Sequence, residues 1–110
     1  MIPLMLAAVL LAPMRPVDME PVRPLAVRGV ASWMPEAYGL RYLALPAGPG
    51  HRVRVCGAAS CLVLRSNDAG PDRAMQRRGR IADIGVTMWE RLTGLPRTRG
   101  LAPVTVEYLP

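Results

Sequence analysis

Polar and apolar positions alternate along Arg52-Val53-Arg54-Val55, and again along Val104-Thr105-Val106-Glu107-Tyr108. A period of two places every second side chain on one face, as a half-buried strand requires. Cys61-Leu62-Val63-Leu64 is continuously apolar and predicts a central strand running on to Arg65. Residues 25–33 also predict a strand, with Val27, Val30 and Trp33 as core candidates. Shorter apolar pieces at 42–45 and 79–84 predict two more strands. Ile84, Met88 and Leu92 recur at four-residue spacing, which predicts one helix over 86–92 with Trp89 beside the stripe. Gly94 and Pro96 stop that helix.

Turn signals divide these elements. Residues 34–39 read as a loop, Pro46-Ala47-Gly48-Pro49-Gly50 as a tight turn and 73–80 as an Arg-rich turn. Twelve Pro and ten Gly leave no room for long helices. With no Phe, two Trp and three Tyr, the core has to be built from aliphatic side chains. Five or six short strands and one short helix in 110 residues predict a mainly β fold, a small closed barrel over residues 25–110.

Two segments precede the barrel. Residues 15–24 hold three Pro among charges and read as an extended linker. Residues 1–14 carry no charged side chain. That run is too short to span a bilayer, so no stable membrane span is expected. It matches the apolar part of a signal peptide, although no Lys or Arg precedes it and no clean cleavage site follows. Export to the periplasm, cell envelope or medium is the preferred reading. The alternatives are an uncleaved membrane-associating segment, a tail buried on a partner, or a misplaced start.

The net charge is +6, and all 14 basic residues are Arg. A basic surface can meet nucleic acid, an anionic membrane or a cell-wall polymer. No recognition helix, zinc site or stacking platform is legible, so no specific nucleic-acid partner is expected. Cys56 and Cys61 lack the further Cys or His ligands of a zinc site, and no metal or cofactor is expected. A four-residue hairpin loop would set the two Cys opposite one another and favours a disulfide. Two free thiols in a reducing cell are the alternative.

Candidate chemistry centres on Arg65-Ser66-Asn67-Asp68-Ala69-Gly70-Pro71. Asp68 leaves a strand just before a Gly-Pro turn, held by backbone yet able to reach a cleft. A turn-capping Asp would look the same. His51 is the only His, and at a strand start it reads as a surface residue.

The order of the pieces carries a resemblance. Ala31-Ser32-Trp33, Ala44-Leu45-Pro46 with its Gly-rich turn, Arg52 to Val55, Asn67 to Pro71, Gly79-Arg80-Ile81-Ala82-Asp83-Ile84, a helix, and Gly100 to Val106 follow one another. Over roughly residues 30–109 the chain resembles the rare lipoprotein A (RlpA)-like double-psi β-barrel family. That resemblance implies a six-stranded double-psi barrel and a role at the bacterial cell wall. Family members include lytic transglycosylases of peptidoglycan, and related barrels occur in expansins.

Asp68 matches the family's acidic residue and is implied as the single catalytic acid/base. Asp83 matches the Asp of the second motif, with a structural role expected alongside Gly70 and Pro71. Tyr42 stands where the family has its His. No residue clearly matches the family's Glu, and Glu36 is the only carboxylate in that shortened loop. Tyr42, Asn67, Ser66 and Glu36 are the candidate substrate-binding residues. A lytic transglycosylase can work with one carboxyl group, because the sugar's own hydroxyl closes the ring and no water is activated. Asp68 would then need a pKa raised by partial burial. The alternative is a barrel that binds peptidoglycan or another glycan without cutting it, or a scaffold. The sequence leaves the oligomeric state open.

Overall fold

The computed structural model of the chain describes residues 26–110. The apolar segment 1–14 and the linker 15–24 lie outside the described residues. The strands are β1 (Ala26–Met34), β2 (Leu43–Leu45), β3 (Arg52–Cys56), β4 (Cys61–Arg65), β5 (Asp68–Ala69), β6 (Arg80–Gly85) and β7 (Leu101–Tyr108). The helix α2 spans Val86–Thr93. The Arg-rich turn winds into a single short helical segment, α1 (Arg73–Arg77), whose first turn Asp72 caps by accepting from Met75 N at 3.0 Å.

All seven strands form one curled sheet in the order β4-β3-β7-β1-β6-β2-β5. The expected closed six-stranded barrel is therefore corrected to an open seven-stranded one. The added strand is β5, which pairs parallel to β2 through Ala44 opposite Asp68 and Leu45 opposite Ala69. Two residues cannot display a period, so the sequence presents this strand as a turn. The sheet's edges are β4 and β5, joined by Ser66 and Asn67. Those two residues bond across the gap singly: Ser66 N to His51 O at 2.9 Å, Gly50 N to Ser66 O at 2.8 Å and Asn67 N to Leu43 O at 2.9 Å.

The long central strand β1 pairs antiparallel to β7 and parallel to β6. Its inward residue is Ala31, which is fully buried, whereas Val27, Val30 and Trp33 are only partly so. Trp33 packs against the core, whereas Val27 and Val30 lie outside the core cluster, so the core candidates at three-residue spacing are corrected in part. A spacing of three straddles both faces of a strand, and only residues two apart share one. The register against β6 also slips between Val30 and Ala31, where Ile81 has no partner opposite it. Gly29 is required there. A Cβ on it would lie 2.6 Å from Gly79 O and 2.6 Å from a methyl of Ile81.

The core joins Leu43, Leu45, Val53, Val55, Ile84 and Val106 to the inner face of α2. Met88, Trp89 and Leu92 of that face are buried, as the four-residue stripe predicts. Trp89 is the largest fully buried side chain, and its indole N–H donates to Ala31 O at 3.1 Å. This bond satisfies the one polar atom that burying the indole would otherwise strand. Gly94 ends α2 in the left-handed conformation, at φ 72°. The hairpin of β3 and β4 sets Cys56 opposite Cys61, and a disulfide joins them, as the loop length favours.

Candidate functional site

Strand pairing sets one row of residues across the sheet. Asp68 of β5 lies opposite Ala44 of β2, Ala44 opposite Asp83 of β6, and Asp83 opposite Ser32 of β1. The two carboxylate-bearing strands are therefore separated by one strand, roughly 10 Å at the backbone for the usual strand spacing. The residues between them are small. A Cβ added to Gly70 would stand 3.5 Å from both Ala44 Cβ and Asp83 Oδ2. Ala44 and Gly70 thus keep this part of the face low. The Gly70–Pro71 peptide is cis.

Each Asp is held differently. Ser32 Oγ donates to Asp83 Oδ1 at 2.6 Å, so Asp83 ties β6 to β1. Asp68 is fully exposed and accepts two hydrogen bonds. Tyr42 donates its hydroxyl to Oδ2 at 2.7 Å, and Ala69 donates its backbone N–H to Oδ1 at 2.8 Å. The Tyr42 bond, followed by the Ala69 bond, holds the Asp68 carboxyl below its ordinary value of 3.8. Both bonds favour the charged form. The raised pKa that acid catalysis would need is corrected to a lowered one, because at this exposed carboxyl the two donated bonds outweigh the lesser, opposing effect of burial. Tyr42 moves the other way. Burial first, and then the bond to Asp68, push its phenol well above the ordinary range. At neutral pH the pair is a carboxylate with a neutral phenol.

The other predicted site residues spread out from this pair. Asn67 is exposed, but its amide is engaged by the chain. Its Oδ1 accepts from Leu43 N at 3.0 Å, and its Nδ2 donates to Arg41 O at 3.4 Å. Ser66 is buried at 2% exposure. It donates to Gly48 O at 2.8 Å and accepts from His51 N at 3.0 Å, so its hydroxyl points into the turn rather than to a ligand. The sequence could not distinguish these inward bonds from outward ones.

Glu36 belongs to a second cluster. It meets Arg97 at 3.2 Å, and Arg97 also meets Glu90 at 3.3 Å. The local backbone N–H and then Arg97 hold the Glu36 carboxyl below its ordinary range. The Arg97 guanidinium lies 5.8 Å from the centre of the Trp33 ring, and Trp33 Nε1 donates to Arg97 O at 2.7 Å. A short 3-10 turn, Glu36–Tyr38, links the two clusters. Tyr38 packs edge-on against Tyr42, with ring centres 5.1 Å apart, and is itself half exposed.

Sequence reading missed Tyr38 and Arg97. Tyr38 carried a signal, since it lies four residues before Tyr42 in one short loop. Arg97 carried none, because it reaches Glu36 from the far end of the chain. Together the residues make an open face: two tyrosines and a carboxylate at one side, a Trp under an Arg between two Glu at the other. Such a face offers aromatic rings and fixed hydrogen-bond acceptors.

Compared with known proteins, the chain matches no protein-family model and no curated protein. Among solved structures it is similar to a mutant expansin of Clavibacter michiganensis, determined in complex with cellohexaose. The two share 14% sequence identity at a TM-score of 0.58, over 78% of this chain. The match takes in 51% of the expansin, so this chain spans about half of that protein's length. The open barrel described above therefore shares its fold with part of that expansin.

Proposed function

We propose that this barrel binds a cell-wall glycan on the face carrying Tyr38, Tyr42 and Asp68, without cutting it. The observation that carries the reading is the state of Asp68. It is exposed, takes two donated hydrogen bonds and is held below the ordinary carboxyl range. A carboxylate of that kind accepts hydrogen bonds from sugar hydroxyls. Tyr38, half exposed beside it, offers a ring surface to the apolar face of a sugar. The fold shared with part of that expansin supports a glycan as the ligand class. The resemblance to RlpA-like domains in Asn67 to Pro71 and Gly79 to Asp83 favours peptidoglycan among glycans. Export is part of the same proposal: the Cys56–Cys61 disulfide suits an oxidising compartment, where such a polymer lies.

A second reading is lytic transglycosylation with Asp68 as acid and then base. The Asn67 to Pro71 motif favours it, and the lowered Asp68 carboxyl opposes it. One experiment separates the two. The full chain is mixed with peptidoglycan sacculi, and bound protein and released sugars are both measured. The proposal expects co-sedimentation, no anhydro-muropeptides, and affinity weakened roughly tenfold by Asp68→Asn, the size of one charged hydrogen bond. Release of anhydro-muropeptides, abolished in Asp68→Asn, would establish the lytic reading instead. Absence of any association with sacculi would overturn both.

A further inference from the structure

A cavity of about 650 Å³ opens beside the Pro46–Ala47 turn and is lined by none of the residues assigned to the glycan face. Its rim borders that face, since Pro46 follows Ala44 by two residues and Ile81 precedes Asp83 by two, and Val27 carries it away along β1. Its size falls within the roughly 300–1,000 Å³ of small-molecule sites. Val27, Ile81 and Val106, from three adjacent strands, form an apolar lining. His51 and Tyr108 add a wall of two rings packed edge-on, with centres 5.7 Å apart.

Charge makes this lining one-sided. Arg80 lines the cavity, is half-buried and forms no ion pair among the described residues. No lining residue is a carboxylate. An unpaired guanidinium beside apolar walls favours an anion, because the charge pair is screened less there than in open water. A neutral apolar ligand would gain only the burial of its surface.

We propose that this cavity binds a small amphipathic carboxylate, with its apolar part against Val27, Ile81 and Val106 and its carboxylate on Arg80. The site is separate from the glycan face, and its test does not depend on that face. Decanoate and its uncharged counterpart decanol serve as probes, titrated into the full chain and followed by methyl NMR.

Decanoate is expected to shift the Val27, Ile81 and Val106 methyls and to bind roughly tenfold tighter than decanol, the gain from one charged hydrogen-bonded contact. Arg80→Gln should bring the two probes to within about twofold, since only burial then remains. Ala47→Trp is built at an exposed lining position, so the fold tolerates it, and its indole should block both probes. Equal binding of decanol and decanoate to the unaltered chain overturns the proposal, as does the absence of shifts at those methyls. Nuclear Overhauser contacts between methyls of residues 1–14 and Ile81 in the ligand-free chain would also overturn it, by assigning the cavity to the chain's own start.

Discussion

The two sites of the barrel are built on opposite principles. At the Asp68 site, polar groups satisfy one another: Tyr42 with Asp68, Ser32 with Asp83, Arg97 with Glu36 and Glu90. At the Arg80 site, a cation with no ion pair among the described residues sits beside aliphatic walls and a cavity remains. The first site is prepared by bonds already made. The second is prepared by a bond left open. A chain without Phe helps explain the cavity, because its aliphatic side chains reach less far across the barrel mouth. The core underlies both sites, so a change in that core should disturb both.

The largest expected effect comes from breaking that shared core. Trp89→Ala removes the largest fully buried side chain and its bond to Ala31, and should cost about 3–5 kcal/mol. Urea unfolding measures the loss. Glycan binding and decanoate binding should fall together in the same titration. A variant that lost one and kept the other would show that the two sites do not rest on one core.

Gly29→Ala comes next. The new Cβ must displace Gly79 O or the Ile81 side chain, and overpacking of this kind costs about 1–3 kcal/mol. Ile81 lines the cavity, so the decanoate site should suffer before the glycan face does. Unfolding curves and the two binding titrations on one sample give the order. An unchanged melting temperature would show that the β1–β6 contact yields more easily than its spacing implies.

The same contrast explains what the sequence discloses. β3, β7 and α2 are legible because each repeats its period several times, as in Arg52 to Val55 and in Ile84, Met88 and Leu92, whereas the apolar run of β4 reads as a central strand and lies at the sheet's edge. β5 is hidden because two residues have no period. The inward face of β1 is misread because Val27 and Val30 are prominent where the buried residue is a small Ala31. At the site, Asp68 and Tyr42 are legible as chemistry-bearing residues through a motif. The direction of the Asp68 pKa is not, since it depends on a phenol 26 positions away whose bond outweighs the effect of burial. The Arg80 cavity is less legible still. Space and a missing partner leave no residue pattern to find.

The smallest expected effect is also the sharpest test of the Asp68 site. Tyr42→Phe keeps the ring and removes only the hydroxyl that donates to Asp68. The Asp68 pKa should rise towards its ordinary 3.8, because its main lowering contact is gone and only the Ala69 N–H remains. The sign follows from linkage. A carboxyl whose folded pKa lies below its unfolded one contributes stability above the unfolded value and loses it as pH falls through the folded value. In Tyr42→Phe this pH-dependent part shrinks, and stability near neutral pH changes little because Asp68 is exposed. Carbon-13 titration of the Asp68 carboxyl in both proteins reads the shift directly. Sacculus binding followed down the acid range should fail at a higher pH in the variant than in the unaltered chain, since the carboxylate is protonated sooner. If instead the Asp68 midpoint does not move, the 2.7 Å bond does not govern its charge. If the midpoint lies above the ordinary value in the unaltered chain, Asp68 is poised to donate a proton, and the binding reading gives way to the lytic one.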